Sequence, residues 1–190
     1  MNKTLANIWE YAKWPLVVLI LAFIAFIGWR LVVLNEKEAT AEAVTQIHAN
    51  RLVWSDINGE LPPEPDAAAK DATLAGVDSN QNGIRDDVER VIYLKYKDTP
   101  KVVIAMLQYA KALQMEFTHV YNSETFVAVT QEESRGSVCI LDIKKSDEVD
   151  ELVFNTQARK DFQEELARKF MTFYALPNEN YCDINIGPSS

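Results

Sequence analysis

A segment in the middle of the chain carries oxygen-bearing side chains at alternating positions. From Asp78 to Glu89 it reads DSNQNGIRDDVE and fits the pattern D-x-[DN]-x-[DN]-G-x5-E without a gap. This spacing lets side-chain oxygens converge on one point, while Gly83 permits the sharp turn that brings the chain around. Calcium is a hard cation that takes roughly six to eight oxygen ligands. The segment is therefore predicted to wrap a single calcium ion.

Three carboxylates and two amides in this segment would supply side-chain oxygens to the ion. Ile84 would supply its backbone carbonyl, while its side chain fastens the loop to the core. Glu89, already inside the following helix, would close the shell with two oxygens. Because only three ligands are charged, we expect a dissociation constant of about 10⁻⁵–10⁻³ M, which suits a stabilising clip better than a switch. The predicted ligands are Asp78, Asn80, Asn82, Ile84, Asp86 and Glu89.

Two other interpretations of the segment compete with calcium. In the first, Asn82-Gly83 is a solvated turn before a helix, and Asp86 and Asp87 only complement the helix dipole. In the second, magnesium replaces calcium. Magnesium is disfavoured because it demands stricter octahedral geometry and gives up its water reluctantly.

The stretch LPPEPD…ATLAGVDSNQNGIRDDVERVIY, within residues 61–93, resembles an EF-hand-like segment of uncharacterised secreted or membrane-anchored bacterial proteins. The resemblance implies a calcium loop that leads into a helical domain, and it implies no activity. An EF-hand has a helix entering the loop, whereas this segment is Ala-rich and follows several prolines. We therefore expect an unpaired loop that has an exit helix only.

An apolar run near the N-terminus has the length of a membrane span. From Trp14 to Leu34 it reads WPLVVLILAFIAFIGWRLVVL, with Arg30 as its one charge. At about 1.5 Å per residue it would span roughly 31 Å, close to the ~30 Å thickness of a bilayer core. A single-pass anchor is predicted. The alternative is a secretory signal peptide cleaved near Ala41 and a secreted mature protein, although the apolar region of a signal peptide is normally shorter.

The charges that flank the apolar run indicate its orientation. Lys3 and Lys13 precede it, whereas the basic residues after it are diluted by Glu36 and Glu38. This small bias places the N-terminus in the cytoplasm and the remainder outside it. The predicted location is a bacterial inner membrane, with the domain in the periplasm.

The charge balance bounds the possible partners. The chain has a formal net charge of -9 and is 48% hydrophobic. Without residues 1–34 it holds 16 basic and 27 acidic side chains, a net charge of -11. A surface this acidic repels phosphate backbones, and no nucleic-acid partner is therefore expected. Basic partners and cations are favoured instead.

The two cysteines, Cys139 and Cys182, are far apart and form no CxxC motif. With only two histidines in the chain, the spacings of zinc sites are absent. In an oxidising compartment the cysteines are expected to form a disulfide, which is worth roughly 4 kcal/mol in the chain-entropy model. In the cytosol they would be two buried thiols.

The predicted fold is mainly α, with a single N-terminal transmembrane helix, a stalk helix and a small helical domain with one EF-hand-like calcium loop. The apolar stripe of the stalk either packs on the domain or forms a seam with a partner helix. The predicted divisions are 1–13 (cytoplasmic flank), 14–34 (transmembrane anchor), 35–54 (stalk helix), 55–77 (Pro-rich linker and lead-in) and 78–190 (helical domain).

Hydrophobic periodicity predicts three helices inside the domain, at Asp86–Lys97, Pro100–Tyr121 and Ala158–Tyr174. Thr99 is expected to cap the second, which shows one apolar face. Glu124–Glu133 fits a helix or a strand. Arg135-Gly136 is expected to break the chain before an apolar stretch of undetermined type, 138–143.

Two classes of function remain open. The first is a membrane-anchored calcium-binding module that contacts another envelope protein. The second is an envelope enzyme, such as a hydrolase of wall components, that uses unrecognised carboxylates. The sequence contains no GxSxG, P-loop, HExxH or GxGxxG motif, so no catalytic residue, organic cofactor or small-molecule substrate is assigned. Buried carboxylates in a pocket would favour the enzyme, and an exposed apolar patch would favour the module.

Overall fold

The computed structural model describes residues 3–170 and 181–184, with side chains from residue 14 onward. Within those residues the chain is helical and has no β-strand, which confirms the predicted mainly-α class. The α-helices are α1 (Lys3–Ala49), α2 (Trp54–Asn58), α3 (Asp86–Tyr96), α4 (Pro100–His119), α5 (Ser123–Ile140), α6 (Ser146–Val153) and α7 (Gln157–Lys169), with short 3-10 helices at Ala69–Asp71 and Leu141–Ile143.

The chain falls into two compact units, Met1–Glu42 and Ala43–Ser190. Each is described by itself. The described part of the first unit is helical throughout, and most large apolar side chains of the predicted anchor, 14–34, are exposed. Within the described residues, one helix is long and apolar enough to cross a membrane. This is consistent with a single-pass membrane protein.

The last turns of α1 belong to the second unit. The helix ends at Ala49 rather than at Trp54, and the boundary between the units lies inside the predicted stalk. Ile47 is fully buried in a small cluster, and Leu52 is buried in the main core. Of the two uses predicted for this stripe, packing on the domain is therefore the one observed. Ile47 packs with Met115, Ala128 and Val129.

Helix α4 is the central element of the second unit. The sequence predicts one buried face, yet every residue from Val103 to Glu116 is buried, because α3, α5 and α6 all pack against this helix. Its polar side chains consequently need partners inside the fold. Gln108 donates from Nε2 to the Tyr181 carbonyl at 2.7 Å, and Gln114 donates from Nε2 to the Ala75 carbonyl at 2.7 Å.

Helix α5 runs without interruption through the predicted break at Arg135-Gly136, so that prediction is wrong. Gly136 lies against α4, where an added Cβ would come within 3.0 Å of the Tyr109 Cα. The glycine therefore permits a close approach between two helices instead of ending one of them. The helix begins after Asn122, whose side chain accepts the Thr125 N–H at 2.9 Å, and the strand alternative for Glu124–Glu133 is excluded.

The remaining helices differ from the sequence prediction in smaller ways. Helix α6 was not predicted, because its acidic residues resemble a solvated surface, yet Val149 and Val153 are buried. Helix α4 begins at Pro100 as predicted, but Thr99 makes no side-chain cap. Helix α7 ends at Lys169, and the predicted continuation to Tyr174 lies beyond the described residues.

The predicted disulfide between Cys139 and Cys182 is present, with the two Cα atoms 5.1 Å apart. It fastens residues 181–184, here called the tail segment, to α5. The tail segment also enters a buried ionic network, because the Asp183 carboxylate accepts from Arg135 at 2.7 Å and from the Leu52 N–H at 2.9 Å. Arg135 in turn donates to Glu132 at 2.6 Å. The tail segment, α5 and the chain after α1 are thus joined around paired charges.

Candidate metal site

The predicted calcium loop lies between the 3-10 helix Ala69–Asp71 and α3. Two residues turn its backbone by adopting left-handed conformations, Gln81 with φ 57° and Gly83 with φ 85°. A side chain at Gly83 would be strained by this φ value, so glycine suits the position. The backbone therefore turns sharply at these two positions.

Asp78 closes the first half of the loop. Its carboxylate accepts the backbone N–H groups of Gly83 at 2.9 Å and of Asn82 at 3.2 Å. Burial raises the pKa of Asp78 above its ordinary value, and the negative charge of Asp86 adds to the rise, while the two N–H groups oppose it. The carboxylate is therefore held inside the ring that its own loop forms.

Asp86 and Glu89 lie on the inner side of α3 and are almost completely buried, with exposed fractions of 0% and 4%. The Asp86 carboxylate accepts two hydrogen bonds from Ser79, one from the Ser79 backbone N–H at 2.9 Å and one from the Ser79 Oγ at 2.6 Å. Glu89 Oε2 accepts from the side-chain amides of Asn80, at 3.2 Å, and Asn82, at 3.1 Å. Burial raises the pKa of Glu89, and the charges of Asp86 and Asp78 raise it further.

Five of the six predicted ligand residues belong to one hydrogen-bonded set, whereas Asp86 bonds to Ser79 instead. Ile84 joins through its backbone N–H, which donates to Asn82 Oδ1 at 2.9 Å, and its side chain is buried in the main core as predicted. Ile84, Asp86 and Glu89 are buried, whereas Ser79, Asn80 and Gln81 are exposed. Asp87 stands apart from the set, since its carboxylate pairs with Arg85.

The donor set can be tested against the needs of a cation. No three His, Cys, Asp or Glu side chains among the described residues are grouped so as to hold a metal ion by themselves. In the loop, the carboxylate oxygens instead accept hydrogen bonds from loop donors. The candidate ligands are nevertheless all oxygen-bearing, and rotation of the Asn80 and Asn82 amides would turn oxygen toward Glu89 in place of nitrogen. The chemistry of the set suits a hard cation such as calcium.

Arg85, which the sequence analysis did not single out, fastens the loop to α6. Its side chain is completely buried and donates to the carbonyls of Leu152, at 2.9 Å, and Val153, at 3.2 Å. Carbonyls in the last turn of a helix lack intrahelical partners, so Arg85 satisfies groups that burial would otherwise leave unpaired. An arginine in a polar loop gives no sequence signal of this role.

Gly76, in the segment that leads into the loop, lies against the Arg85 side chain. Its φ is 68°, and an added Cβ would lie 2.2 Å from Arg85 Cδ. We expect Gly76→Ala to lower the free energy of unfolding by about 2–4 kcal/mol, from backbone strain plus displacement of a buried arginine. Urea unfolding of the detergent-solubilised chain measures this. Gly28→Ala is the matched control, because a Cβ there meets no atom within 4 Å. Equal stability of the two variants would contradict the assigned role of Gly76.

A second buried arginine, Arg159 of α7, holds the chain that leads into the loop. Only 1% of its surface is exposed. Its guanidinium lies among oxygen atoms of the lead-in, which is mostly irregular and depends on such contacts for its shape. The acceptors are the Asp71 carboxylate (2.8 Å), the carbonyls of Lys70 (2.8 Å), Leu74 (2.9 Å) and Thr73 (3.2 Å), and the Asn155 side chain (2.6 Å).

Two cavities bear on the enzyme alternative. The larger, about 450 Å³, lies beside the disulfide and is lined by residues such as Ile104, Val138 and Asp142. The other, about 380 Å³, lies along α3 and is lined by residues such as Val91 and Leu94. None of the six predicted ligands lines either cavity, although residues next to them in the chain line the second. Neither cavity contains a pair of buried carboxylates. These cavities therefore add no support for hydrolytic chemistry.

Comparison of the chain with protein-family models, with curated proteins and with solved structures found no match. The resemblance of residues 61–93 to EF-hand-like segments accordingly stays a prediction.

Proposed function

We propose that this protein is a membrane-anchored calcium-binding module of the bacterial cell envelope, which acts by contacting another envelope protein. The observation that carries the proposal is the arrangement of the loop. Asp78 and Glu89 share one hydrogen-bonded set with Asn80 and Asn82, and the charge of Asp86 acts on both carboxylates. The only basic residue of the loop, Arg85, directs its side chain to α6. Three carboxylates thus lie in a segment whose own basic side chain is engaged elsewhere.

The electrostatics of the set supports a cation as its neutralising partner. Burial raises the pKa values of Asp78 and Glu89, and the charge of Asp86 raises both further. A bound divalent cation would lower the cost of keeping these groups ionised. When bound, calcium would supply charge neutralisation and a common centre for the loop oxygens. It would act as a clip between the lead-in and α3, since Arg85 already connects the loop to α6.

The proposed location is the inner membrane, with the N-terminus in the cytoplasm and residues 43–190 in the periplasm. An apolar helix of spanning length and a disulfide are both compatible with this location. The small excess of basic residues before the span supports the orientation. For the partner, the acidic domain favours a basic surface. Val91 and Leu94 of α3 are exposed by 42% and 58% and offer an apolar contact beside the loop.

The calcium proposal predicts a stabilisation that depends on the loop. Millimolar calcium should raise the free energy of unfolding of the detergent-solubilised chain by roughly 0.5–3 kcal/mol relative to chelator. The double variant Asp78→Ala, Glu89→Gln removes two ligands and should lose this difference. Thermal unfolding in calcium and in chelator measures it. The control Glu64→Gln changes an exposed acid outside the loop and should keep the full response.

Two outcomes would contradict the calcium proposal. If calcium stabilises the double variant as much as the wild type, the ion binds elsewhere. If the variant is destabilised equally in calcium and in chelator, the carboxylates serve only as hydrogen-bond acceptors within the loop. Isothermal titration of the wild type with calcium and with magnesium then establishes which ion is preferred.

The location and the partner require a separate experiment. In spheroplasts, external protease should remove the domain and leave a membrane-bound N-terminal fragment. Co-purification from membranes, with calcium or with chelator, tests for a partner that is retained only when the loop is loaded. Protection of the domain in spheroplasts would overturn the proposed orientation without affecting the calcium proposal.

A further inference from the structure

The disulfide between Cys139 and Cys182 lies at the surface of the second unit. Cys182 is exposed, Cys139 is half-buried, and both line the cavity of about 450 Å³. A disulfide reacts when a thiolate attacks one of its sulfur atoms and displaces the other, so access to a sulfur decides where attack occurs. Because Cys182 is the more exposed of the two, its sulfur is the one that an incoming thiolate meets.

The cavity beside the disulfide has room for the side chain that carries an incoming thiolate. Apolar residues such as Ile104 form part of its wall. Lys101 and Asp142 add one charge of each sign to the lining. The carboxylate of Asp183, which also lines the cavity, is paired with Arg135 at 2.7 Å. The described lining therefore has no excess of negative charge that would repel a thiolate, although the chain as a whole is acidic.

The tail segment is held in place by contacts that do not depend on the disulfide. Gln108 of α4 donates from Nε2 to the Tyr181 carbonyl at 2.7 Å and accepts the Asp183 N–H at Oε1 at 2.9 Å. The Asp183 carboxylate accepts the Leu52 N–H at 2.9 Å, and Ile184 is buried in the main core. These contacts lie on both sides of position 182, so they keep the two cysteines together after the bond between their sulfur atoms is broken.

This arrangement selects the kind of thiol that can reduce the disulfide. When a thiolate bonds to the Cys182 sulfur, the bond to Cys139 breaks, and Cys139 leaves as a thiolate that takes up a proton from water. A monothiol reductant stops at this mixed disulfide. Because Cys139 remains beside it, Cys139 attacks Cys182 again and expels the monothiol.

A dithiol reductant can complete the reaction. Its second thiol attacks the sulfur of its first, which closes a disulfide within the reductant and releases Cys182 as a thiol. The reductant loses two electrons and the protein gains them, with one proton taken up at each cysteine sulfur. Both attacks on the mixed disulfide come from a neighbouring thiol, so a dithiol competes with Cys139 where a monothiol does not.

We infer that Cys139 and Cys182 form a reversible redox site that exchanges two electrons with a protein dithiol. Cys182 is the attacked sulfur, and Cys139 is the resolving sulfur. The cysteine of the partner enters the cavity beside the disulfide. The reduced chain keeps its fold because the other contacts of the tail segment remain, and the two thiols then stay close enough to form the disulfide again. The predicted calcium ligands have no part in this chemistry.

Reduction of the full-length chain in detergent, without denaturant, tests the redox site with dithiothreitol as the dithiol. Alkylation and mass measurement should show a reduction rate that rises in proportion to dithiothreitol and exceeds the unfolding rate. Circular dichroism should show that the reduced chain retains its helices. Reduced glutathione at the same thiol concentration should give roughly tenfold less reduced protein, because Cys139 expels it.

The position of attack and the role of the tail segment are measured with the glutathione adduct. Peptide mass spectrometry of acid-trapped samples should place the adduct on Cys182. Gln108→Ala removes both hydrogen bonds from Gln108 to the tail segment, so the adduct should accumulate several-fold more than in the wild type. Asp183→Asn, which weakens the pair with Arg135, should act in the same direction. Gln157→Ala, an exposed position on α7, is the matched control and should behave as the wild type.

Three results would overturn the inference. A reduction rate that stops rising at the unfolding rate would show that thiols reach the disulfide only in the unfolded chain. An adduct on Cys139 would contradict the assignment of the attacked sulfur, and equal reduction by glutathione and dithiothreitol would exclude a resolving role for Cys139. The Asp78→Ala, Glu89→Gln variant should be reduced at the wild-type rate, so failure of the calcium proposal and failure of this inference are distinguishable.

Discussion

Replacing Arg159 by alanine is expected to lower the free energy of unfolding by about 3–5 kcal/mol, the largest effect of any single substitution considered for this protein. Arg159 is buried to within 1% and donates to five acceptors, three of which are backbone carbonyls between Lys70 and Leu74. Removing the guanidinium leaves these carbonyls without a partner inside the fold, and buried unpaired polar groups are costly.

The fork shape of the guanidinium is essential to this role. Lysine would keep the charge near Asp71 but cannot reach acceptors on several sides at once, so Arg159→Lys should recover only part of the lost stability. Denaturant unfolding of the detergent-solubilised chain measures both variants. Arg168→Ala is the matched control, because Arg168 lies on the same helix and is exposed, and a change within about 0.5 kcal/mol is expected there.

The local consequence of Arg159→Ala distinguishes this role from a general loss of stability. Residues 70–74 have little regular structure of their own and are held by the side chain that the substitution removes. Protease should therefore cleave near Lys70 in the variant before global unfolding. Unchanged stability with an intact lead-in would show that the buried hydrogen bonds of Arg159 are replaced by other contacts.

Breaking the disulfide between Cys139 and Cys182 is expected to lower the free energy of unfolding by about 4 kcal/mol, from the entropy regained by the unfolded chain. The tail segment is also held by other contacts, because Asp183 enters the buried ionic network and Ile184 lies in the main core. The cross-link favours re-formation of these contacts, because it keeps the tail segment close to α5 when the contacts break transiently.

The double variant Cys139→Ser, Cys182→Ser measures this contribution without a reductant. Reduced wild-type protein should unfold at the same denaturant concentration as the double variant, and reductant should not change the variant further. Asp183→Asn in the oxidised chain separates the ionic contact from the covalent one, since it weakens the pair with Arg135 and keeps the cross-link. Identical unfolding of oxidised and reduced wild type would contradict the prediction.

The sequence alone determined the features that depend on local pattern. The apolar length of residues 14–34 indicates a helix that can span a membrane, and periodicity indicates α3, α4 and α7 within a few residues of their described ends. The alternating oxygens from Asp78 to Glu89 predict a calcium loop, and five of the six predicted ligands share one hydrogen-bonded set. These features follow from the spacing of residues along a continuous segment of the chain, because the backbone itself fixes how residues at that spacing are arranged.

The predictions that were wrong concern residues whose role is set by a distant partner. Gly136 has the signature of a break, yet its position against Tyr109 makes it a close contact inside α5. Helix α6 was not predicted, yet its Val149 and Val153 are buried in the main core. In each case, local propensity was outweighed by packing against an element far away in the sequence.

Tertiary structure alone decided which charges are buried and with what they pair. Arg85 and Arg159 look like ordinary surface residues in the sequence, and Glu132 and Glu133 are adjacent and identical in type. In the fold, the arginines bind carbonyls of distant segments, Glu132 faces cations, and Glu133 faces another acid. A side chain's charge follows from its residue type, but its partner depends on which helix packs against it. The polar composition of the loop at Asp78–Glu89 was therefore predictable from its own residues, whereas the buried arginines that hold it were not.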